Sequence, residues 1–349
     1  MRIVVLKGGW SPEREVSLNS GAFVSNELRS VGHDVHEIDV IKDLRYITDS
    51  LYEHSPDYIV NMLHGIGGED GIIQGILEVF GVPYSGSGVL GSSLAFHKSL
   101  CKMIVKAQGV RVIDGLDIHC HDIQQINTPM GPQMQYPFVV KPAANGSSVG
   151  VFLVFNDRDL ETLKNTEWTF GKDVILENYI AGREFTVLVN GGKAIGALEI
   201  VPNSNFYDYG SKYNEGGSSH ILDFELEPAL LDQMLSAAEI AFTACHCRSF
   251  ARVDFRVDVN HVHTQSSQEF GAGDTSCSRR SVLDLLIIRP FKTSSGSTNP
   301  QASEDRVYFL EINTQPGMTS TSLVPEIAKY NHVELPCILN IKKHDNQLK

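Results

Sequence analysis

The strongest constraint on the fold is a rhythm in the first 95 residues, where short β-branched runs alternate with stretches of helical spacing. Ile3-Val4-Val5-Leu6 reads as one strand and residues 57–63, centred on Ile59 and Val60, as another. Apolar residues at Val16, Phe23, Val24, Leu28 and Val31, and again at Ile72, Ile73, Ile76, Leu77 and Phe80, recur as they do on helices packed against a sheet. Such alternation closes as an open, mostly parallel sheet, with its binding sites beyond the carboxyl ends of the strands.

Two further units follow. The spacing predicts a connecting helix over 92–108, with Leu94, Leu100, Ile104 and Val105 as its apolar positions and Lys98 and Lys102 carrying charge. Strands are expected over 138–141, 151–155 and 174–177, then over 185–189 and 195–200. A polar loop over 203–219 and a helix over 228–244 lead to a last pair of strands. A chain of 349 residues accommodates two or three domains, divided here as 1–95, 96–180 and 181–349. Residues 261–305, rich in Ser, Thr, Gln and Gly, break this economy. They read as an insertion at a hairpin tip, where extra length costs little.

Several function classes fall away. A net charge of −13 opposes a general nucleic-acid-binding surface but leaves room for a local basic pocket. No apolar run approaches the ~20 residues of a membrane span. The first strand, cut short by Gly8-Gly9, does not read as a signal peptide. The six cysteines show no metal-type pair of pairs. His119-Cys120-His121 and Cys245-His246-Cys247 are compact but lack a second half, so they read as reduced thiols of a cytoplasmic protein.

The last two strands carry the sharpest chemical signal. In Ala251-Arg252-Val253-Asp254-Phe255-Arg256, period-2 alternation puts Arg252 and Asp254 on one face and Val253 on the other. In Phe309-Leu310-Glu311-Ile312-Asn313, Glu311 and Asn313 share a face while Leu310 and Ile312 are expected to enter the core. Pairing Asp254 with Glu311 would gather three hard oxygen donors beside an arginine, the set that Mg²⁺ prefers. Taken alone, two amphipathic strands with solvated acidic faces read the same way.

The loops add to this. Lys7-Gly8-Gly9-Trp10-Ser11-Pro12-Glu13-Arg14-Glu15 lacks the Gly-x-Gly-x-x-Gly of a dinucleotide loop. Its charges suit an amino group and a carboxylate, although an ordinary βα turn would also contain them. His64-Gly65-Ile66-Gly67-Gly68-Glu69-Asp70-Gly71 and Pro83-Tyr84-Ser85-Gly86-Ser87-Gly88 are small-residue turns at the same end of the sheet. In Lys141-Pro142-Ala143-Ala144-Asn145-Gly146-Ser147-Ser148-Val149-Gly150 a lysine ends a strand and a Gly/Ser loop follows. Such a loop can fold over phosphates. It is not a P-loop, because Lys141 precedes the glycines, and a tight hairpin remains the other reading.

Together these stretches resemble the D-alanine–D-alanine ligase family of the ATP-grasp superfamily. The matching motifs include Phe206-Tyr207-Asp208-Tyr209 with Lys212-Tyr213, and Pro316-Gly317-Met318-Thr319-Ser320 with Ser322-Leu323-Val324-Pro325. All run in the family's order along the chain, and only the insertion falls outside. The resemblance implies an α/β, three-domain ATP-grasp fold. Its N-terminal sheet is open, mostly parallel and Rossmann-like, and its nucleotide site lies between central and C-terminal α+β domains. The implied reaction uses ATP to phosphorylate the carboxylate of one D-alanine, and the amine of a second then displaces phosphate. Lys98, Lys141, Ser147, Ile180 and Lys212 would contact ATP, with Glu177 at the adenine and Glu184 at the ribose. Asp254, Glu311 and Asn313 would hold two Mg²⁺ ions, or Mn²⁺. Glu13 and His64 would receive the first substrate's ammonium, Ser322 the second substrate's carboxylate, and Arg252 with the Gly317 backbone the oxyanion. Ser147, Tyr213 and Glu13 match the family's hydrogen-bonded triad that latches the loop over 203–219, and Tyr213 marks the dipeptide-forming type. A cytoplasmic homodimer is implied, with D-alanine and ATP as its small-molecule partners and neither nucleic acid nor membrane among them. His97, Ser249 and Thr321 depart from the family's usual Asp, Gly and His.

Overall fold

The computed structural model describes residues 1–127, 134–146, 149–202, 217–258 and 306–341. Residues 261–305, read as an insertion, lie outside the described residues, as does most of the polar loop expected over 203–219. Three sheets organise the rest.

The first is parallel, in the order β2-β1-β3, from β1 (Arg2–Gly8), β2 (Asp34–Val40) and β3 (Tyr58–Asn61). Helices α1 (Arg14–Ser30), α2 (Leu44–His54) and α3 (Ile72–Phe80) connect and cover it. Ile3, Val4, Val5 and Leu6 are all fully buried, which is why β1 is an unbroken apolar run rather than an alternating one. β2 and α2 are additions to the sequence reading. β2 is an edge strand whose Glu37 pairs with Arg29 and Lys7, so its charges obscured Val35, Ile38 and Val40. α2 does carry a start signal: Asp43 accepts hydrogen bonds from the Arg45 and Tyr46 amides at 2.9 and 3.2 Å.

The continuous helix expected over 92–108 is instead two helices, α4 (Val89–Phe96) and α5 (Lys98–Ala107). The break is His97, whose backbone is extended and bridges to Ala144. His97 caps α5, and the Lys98 amide donates to the Ala143 carbonyl at 2.7 Å. The break thereby seats the first turn of α5 against the loop that follows Lys141.

The second sheet is antiparallel, in the order β4-β7-β5-β6: β4 (Gly115–His119), β5 (Phe138–Pro142), β6 (Phe152–Val154) and β7 (Asp173–Asn178). A short 3₁₀ helix (Cys120–Gln125) and α6 (Asp157–Asn165) pack on it. The third sheet, also antiparallel, runs β10-β9-β8-β11-β12 through β8 (Arg183–Asn190), β9 (Lys193–Pro202), β10 (Ser218–Ile221), β11 (Phe250–Val257) and β12 (Val307–Asn313). Helix α7 (Pro228–Ala244) fills one face, burying Leu230, Met234, Ala238 and Ala241 against Phe185, Val253 and Phe255. On the other face Leu188, Leu198 and Phe250 meet α8 (Leu323–Tyr330) and α9 (Leu335–Ile338), in one cluster with Ile3 and Val5 of β1. That shared core fixes the N-terminal strand ends against the C-terminal sheet.

The register of β11 and β12 pairs Asp254 with Glu311 and Arg252 with Asn313, as the alternation anticipates. One expectation fails. Phe255 pairs with Phe309, so Leu310 is skipped as a β-bulge and faces a cleft, while Phe309 and Ile312 fill the core. Ser249, where the family favours Gly, adopts a left-handed backbone at φ 61° and donates from Oγ to the Ile338 carbonyl at 3.2 Å.

Candidate active site

Two clefts meet at the end of β12. The first lies between the second and third sheets. Val139, Leu153, Ile180 and Leu310 give it apolar walls, and Lys98, Lys141, Glu177, Glu184, Asp254 and Glu311 give it charge. The second opens toward the N-terminal sheet and is lined by Glu13, His64, Arg252, Asn313, Gly317 and others. Lys98, Asn145, Gly146 and Glu311 line both.

At this junction the side chains are bound to one another. Arg252 donates from Nε and Nη2 to the two Asp254 oxygens at 3.0 and 2.8 Å, and Thr186 donates to Asp254 at 2.7 Å. Lys98 Nζ lies 3.2 Å from a Glu311 oxygen and also donates to the Asn145 carbonyl. Asn313 Oδ1 accepts the Gln315 amide at 2.9 Å. Two carboxylates and an amide oxygen on paired positions suit a hard cation, and the Arg252 and Lys98 contacts neutralise the carboxylates meanwhile.

Beneath the first cleft lies a buried charge cluster. Glu177 is 2% exposed and receives Lys141 at 2.7 Å on one oxygen and Lys102 on the other. Burial alone would raise the Glu177 carboxyl, but the two ammonium groups override it and hold it at about 2. The lysines divide: burial pulls Lys102 down to about 8 despite its ion pair, whereas Lys141 overcomes the same burial through Glu177 and is raised. The cluster carries one positive charge more than it neutralises.

At the far end of that cleft, Glu184 pairs with Arg256 at 2.9 Å, and Arg256 also donates to the Gly182 carbonyl at 2.9 Å. Arg256 therefore fixes both ends of the Gly182–Glu184 turn.

The second cleft is built from loops at the carboxyl ends of β1 and β3. Ser11 donates to the His64 carbonyl at 2.7 Å and accepts the Glu13 amide at 3.2 Å. Glu13, 5% exposed, lies where a Cβ on Gly65 or Gly146 would come within 2.7 or 2.8 Å of its carboxylate. A side chain at either glycine would displace that carboxylate, and Gly65 also has a left-handed φ of 67°. The His64 ring is held between the Gln315 carbonyl at 3.0 Å and Ser20 Oγ at 3.2 Å, and Ser20 accepts the Met318 amide at 3.1 Å. Ser322 stands behind Gly317: its Oγ accepts the Thr319 amide at 2.9 Å, and a Cβ on Gly317 would lie 3.2 Å from it.

Thus Lys98, Lys141, Glu177, Ile180, Glu184, Asp254 and Glu311 converge on the first cleft, and Glu13, His64, Arg252, Asn313 and Gly317 on the second. Ser147, Lys212 and Tyr213 lie outside the described residues. The sequence reading missed the parts played by Lys102, Asn145, Arg256, Leu310 and Gln315. Lys102 had a signal, four residues after Lys98 on one helix face. Gln315 had none: it donates through Nε2 to the Asn61 carbonyl, a contact only the tertiary fold creates. Elsewhere, His119, Cys120 and His121 bring three donor atoms within 4.8 Å at the start of the 3₁₀ helix, at the far end of β4 from Gly115, the partner of Glu177. Among the described residues, five cysteines are free thiols, and Cys101 and Cys245 lie 3.5 Å apart.

Comparison with known proteins identifies the family. A family model described as "D-ala D-ala ligase C-terminus" matches residues 104–265 and 301–341. A D-alanine–D-alanine ligase of Afipia carboxidovorans is 40% identical over 330 residues, 94% of this chain and 92% of the relative. One of Parvibaculum lavamentivorans is 39% identical over 338 residues, 95% and 94%. Among solved structures, a D-alanine–D-alanine ligase of Bacillus anthracis superimposes with a TM-score of 0.72 at 27% identity, covering 98% of this chain and 95% of the other.

Proposed function

The chain belongs to the D-alanine–D-alanine ligase family, and from that premise we propose how it works as an ATP-dependent ligase joining two D-alanines for cell-wall synthesis. The observation that carries the reading is the junction: the two clefts share Lys98, Asn145, Gly146 and Glu311. A nucleotide in the first cleft presents its terminal phosphate there, and an amino acid in the second presents its carboxylate.

A carboxylate is a poor electrophile, so it must be activated before an amine can attack. One carboxylate oxygen of the first D-alanine attacks the terminal phosphorus, and ADP leaves. The amine of the second, having lost a proton, attacks the acyl phosphate carbon, and inorganic phosphate departs with the electron pair of the C–O bond. Lys98 and Lys141 draw the phosphates, with Ser147 and Lys212 as further ATP contacts. Ile180 and Leu310 flank the base, and Glu184, held by Arg256, takes the ribose. Glu177 acts from beneath, at the adenine end of the lysine cluster. Glu13 and His64 receive the first ammonium, Arg252 and the Gly317 amide stabilise the oxyanion, and Ser322 binds the second carboxylate. Ser147 and Tyr213 complete the latch with Glu13.

Asp254, Glu311 and Asn313 fit divalent cations, two Mg²⁺ or Mn²⁺ in this reading. Bound there, such ions would neutralise phosphate charge during transfer. Arg252 and Lys98 both line the second cleft, where they meet the substrate. In this reading the domains are 1–95, 96–180 and 181–349, each built around one of the three sheets, and the enzyme works as a cytoplasmic homodimer. No helix among the described residues is long and apolar enough to cross a membrane.

The test is incubation with ATP, Mg²⁺ and D-alanine. ADP, phosphate and D-alanyl-D-alanine are expected in equal amounts, and Glu311→Gln is expected to lower kcat at least about a hundredfold with the circular dichroism spectrum unchanged. ADP released only with another amino acid would instead identify a different ATP-grasp carboxylate–amine ligase. Near-normal turnover of the Glu311 variant would refute the metal assignment.

A further inference from the structure

Lys102 has no assigned part in the reaction, yet it is 6% exposed and its ammonium is held on Glu177. It does not line the first cleft, whereas Lys141 and Glu177 do. Lys102 thus holds one Glu177 oxygen from outside the cleft lining, and Lys141 holds the other from within it. Its position follows from the break at His97, which begins a new helix at Lys98 and puts Lys102 one turn later on the side facing β7. Lys98 reaches Glu311 and Asn145 from the first turn, and Lys102 reaches Glu177 from the second.

Two ammonium groups on one buried carboxylate are electrostatically costly unless a further anion completes the set. With Lys102 absent, Lys141 and Glu177 would form a closed neutral pair, and Lys141 would have to leave an uncompensated carboxylate in order to reach a phosphate. With Lys102 present, Glu177 keeps a counter-ion when Lys141 turns to the nucleotide.

We infer that Lys102 is a positioning residue for nucleotide binding, neutralising Glu177 from behind so that the Lys141 charge is available to the ATP phosphates. This rests on the ligase reading for the identity of the nucleotide, but it concerns an ion cluster that can be probed by binding alone.

The test is Lys102→Met, with Lys102→Arg as the charge-preserving control. A unit charge one carboxylate behind the phosphates is worth roughly a tenfold change in affinity, so K102M is expected to raise KM for ATP about tenfold. Its kcat is expected to stay within about threefold and its KM for D-alanine within about twofold, because the second cleft is untouched. K102R is expected to restore most of the loss. Should K102M not fold, Lys102→Gln, also uncharged, carries the same expectation. An unchanged KM for ATP in the uncharged variant, an equal loss in every kinetic constant, or an Arg variant no better than the neutral one would each overturn the inference. Calorimetric titration with ADP and Mg²⁺, without D-alanine, reads the same shift. A wild-type protein that binds nucleotide but makes no dipeptide thus refutes the ligase reading while the role of Lys102 is judged separately.

Discussion

Glu177 shows how one residue's ionisation becomes a property of the fold. Burial works against its charge, and Lys102 with Lys141 reverse the balance, leaving the carboxyl at about 2 against an ordinary 4.5. A carboxylate depressed in the folded state contributes stability that is fully present above its unfolded value and is lost as pH falls through the folded one. The contribution is therefore complete above about pH 4.5 and disappears on acidification toward about pH 2. Glu177→Gln leaves two buried lysines without their anion and is expected to cost about 3 kcal/mol near neutral pH. Denaturant unfolding at a series of pH values checks this: the gap between wild type and variant should narrow below about pH 4.5. A gap independent of pH would mean that the loss is one of packing. Lys141 and Glu177 were legible in the sequence as a lysine ending a strand and a glutamate ending another. Their union was not, because it depends on the register of β5 against β7, which places Val139 opposite Glu177 and Lys141 opposite Ile175.

At the scale of elements, the bulge in β12 separates two jobs that a regular strand could not combine. A strictly alternating strand with Glu311 and Asn313 at the junction would also bring residue 309 to that face and bury Leu310. The skipped residue instead lets Phe309 enter the core, fully buried and edge-on to Phe255 at 6.1 Å, while Leu310 turns to the cleft. Phe309→Ala is accordingly expected to destabilise by about 3–5 kcal/mol. Leu310→Ala is expected to cost about 1 kcal/mol or less while raising KM for ATP several-fold, because its lost contacts are with the nucleotide. Thermal melts with steady-state kinetics on both variants distinguish this from an unbulged strand, in which Leu310 would be the costly position. The strand pair and its oxygen donors were legible from period-2 alternation. The bulge was not, since no Gly or Pro marks it, and the same reasoning explains the helix break at His97: an ordinary residue is held out of helical geometry by its bridge to Ala144. β2 was overlooked because its apolar positions sit among charges on an edge strand, and α2 because only Ile47 and Leu51 of its 11 residues are buried.

At the scale of the whole molecule, the N-terminal sheet is held over the C-terminal one by their shared core and by specific hydrogen bonds around it. The His64 ring reaches the Gln315 carbonyl at 3.0 Å, and the Gln315 side chain donates to the Asn61 carbonyl. Near the opposite end of β3, the Tyr58 hydroxyl donates to the Leu339 carbonyl at 2.8 Å. The first two bonds join the end of β3 and the loop after it to the loop after β12, so the amino-acid cleft exists only where two sheets come together. Its junction with the nucleotide cleft then dictates the route of the atoms. If the first substrate's carboxylate attacks the terminal phosphate directly across Lys98 and Glu311, the oxygen that forms the new P–O bond is expelled later with inorganic phosphate. D-alanine labelled with ¹⁸O in its carboxylate is therefore expected to deliver one labelled oxygen to each phosphate formed, read by the isotope shift in its ³¹P resonance. Phosphate carrying no label would mean that water, not the carboxylate, receives the phosphoryl group. In that case the two clefts, though joined in space, would not be joined in chemistry.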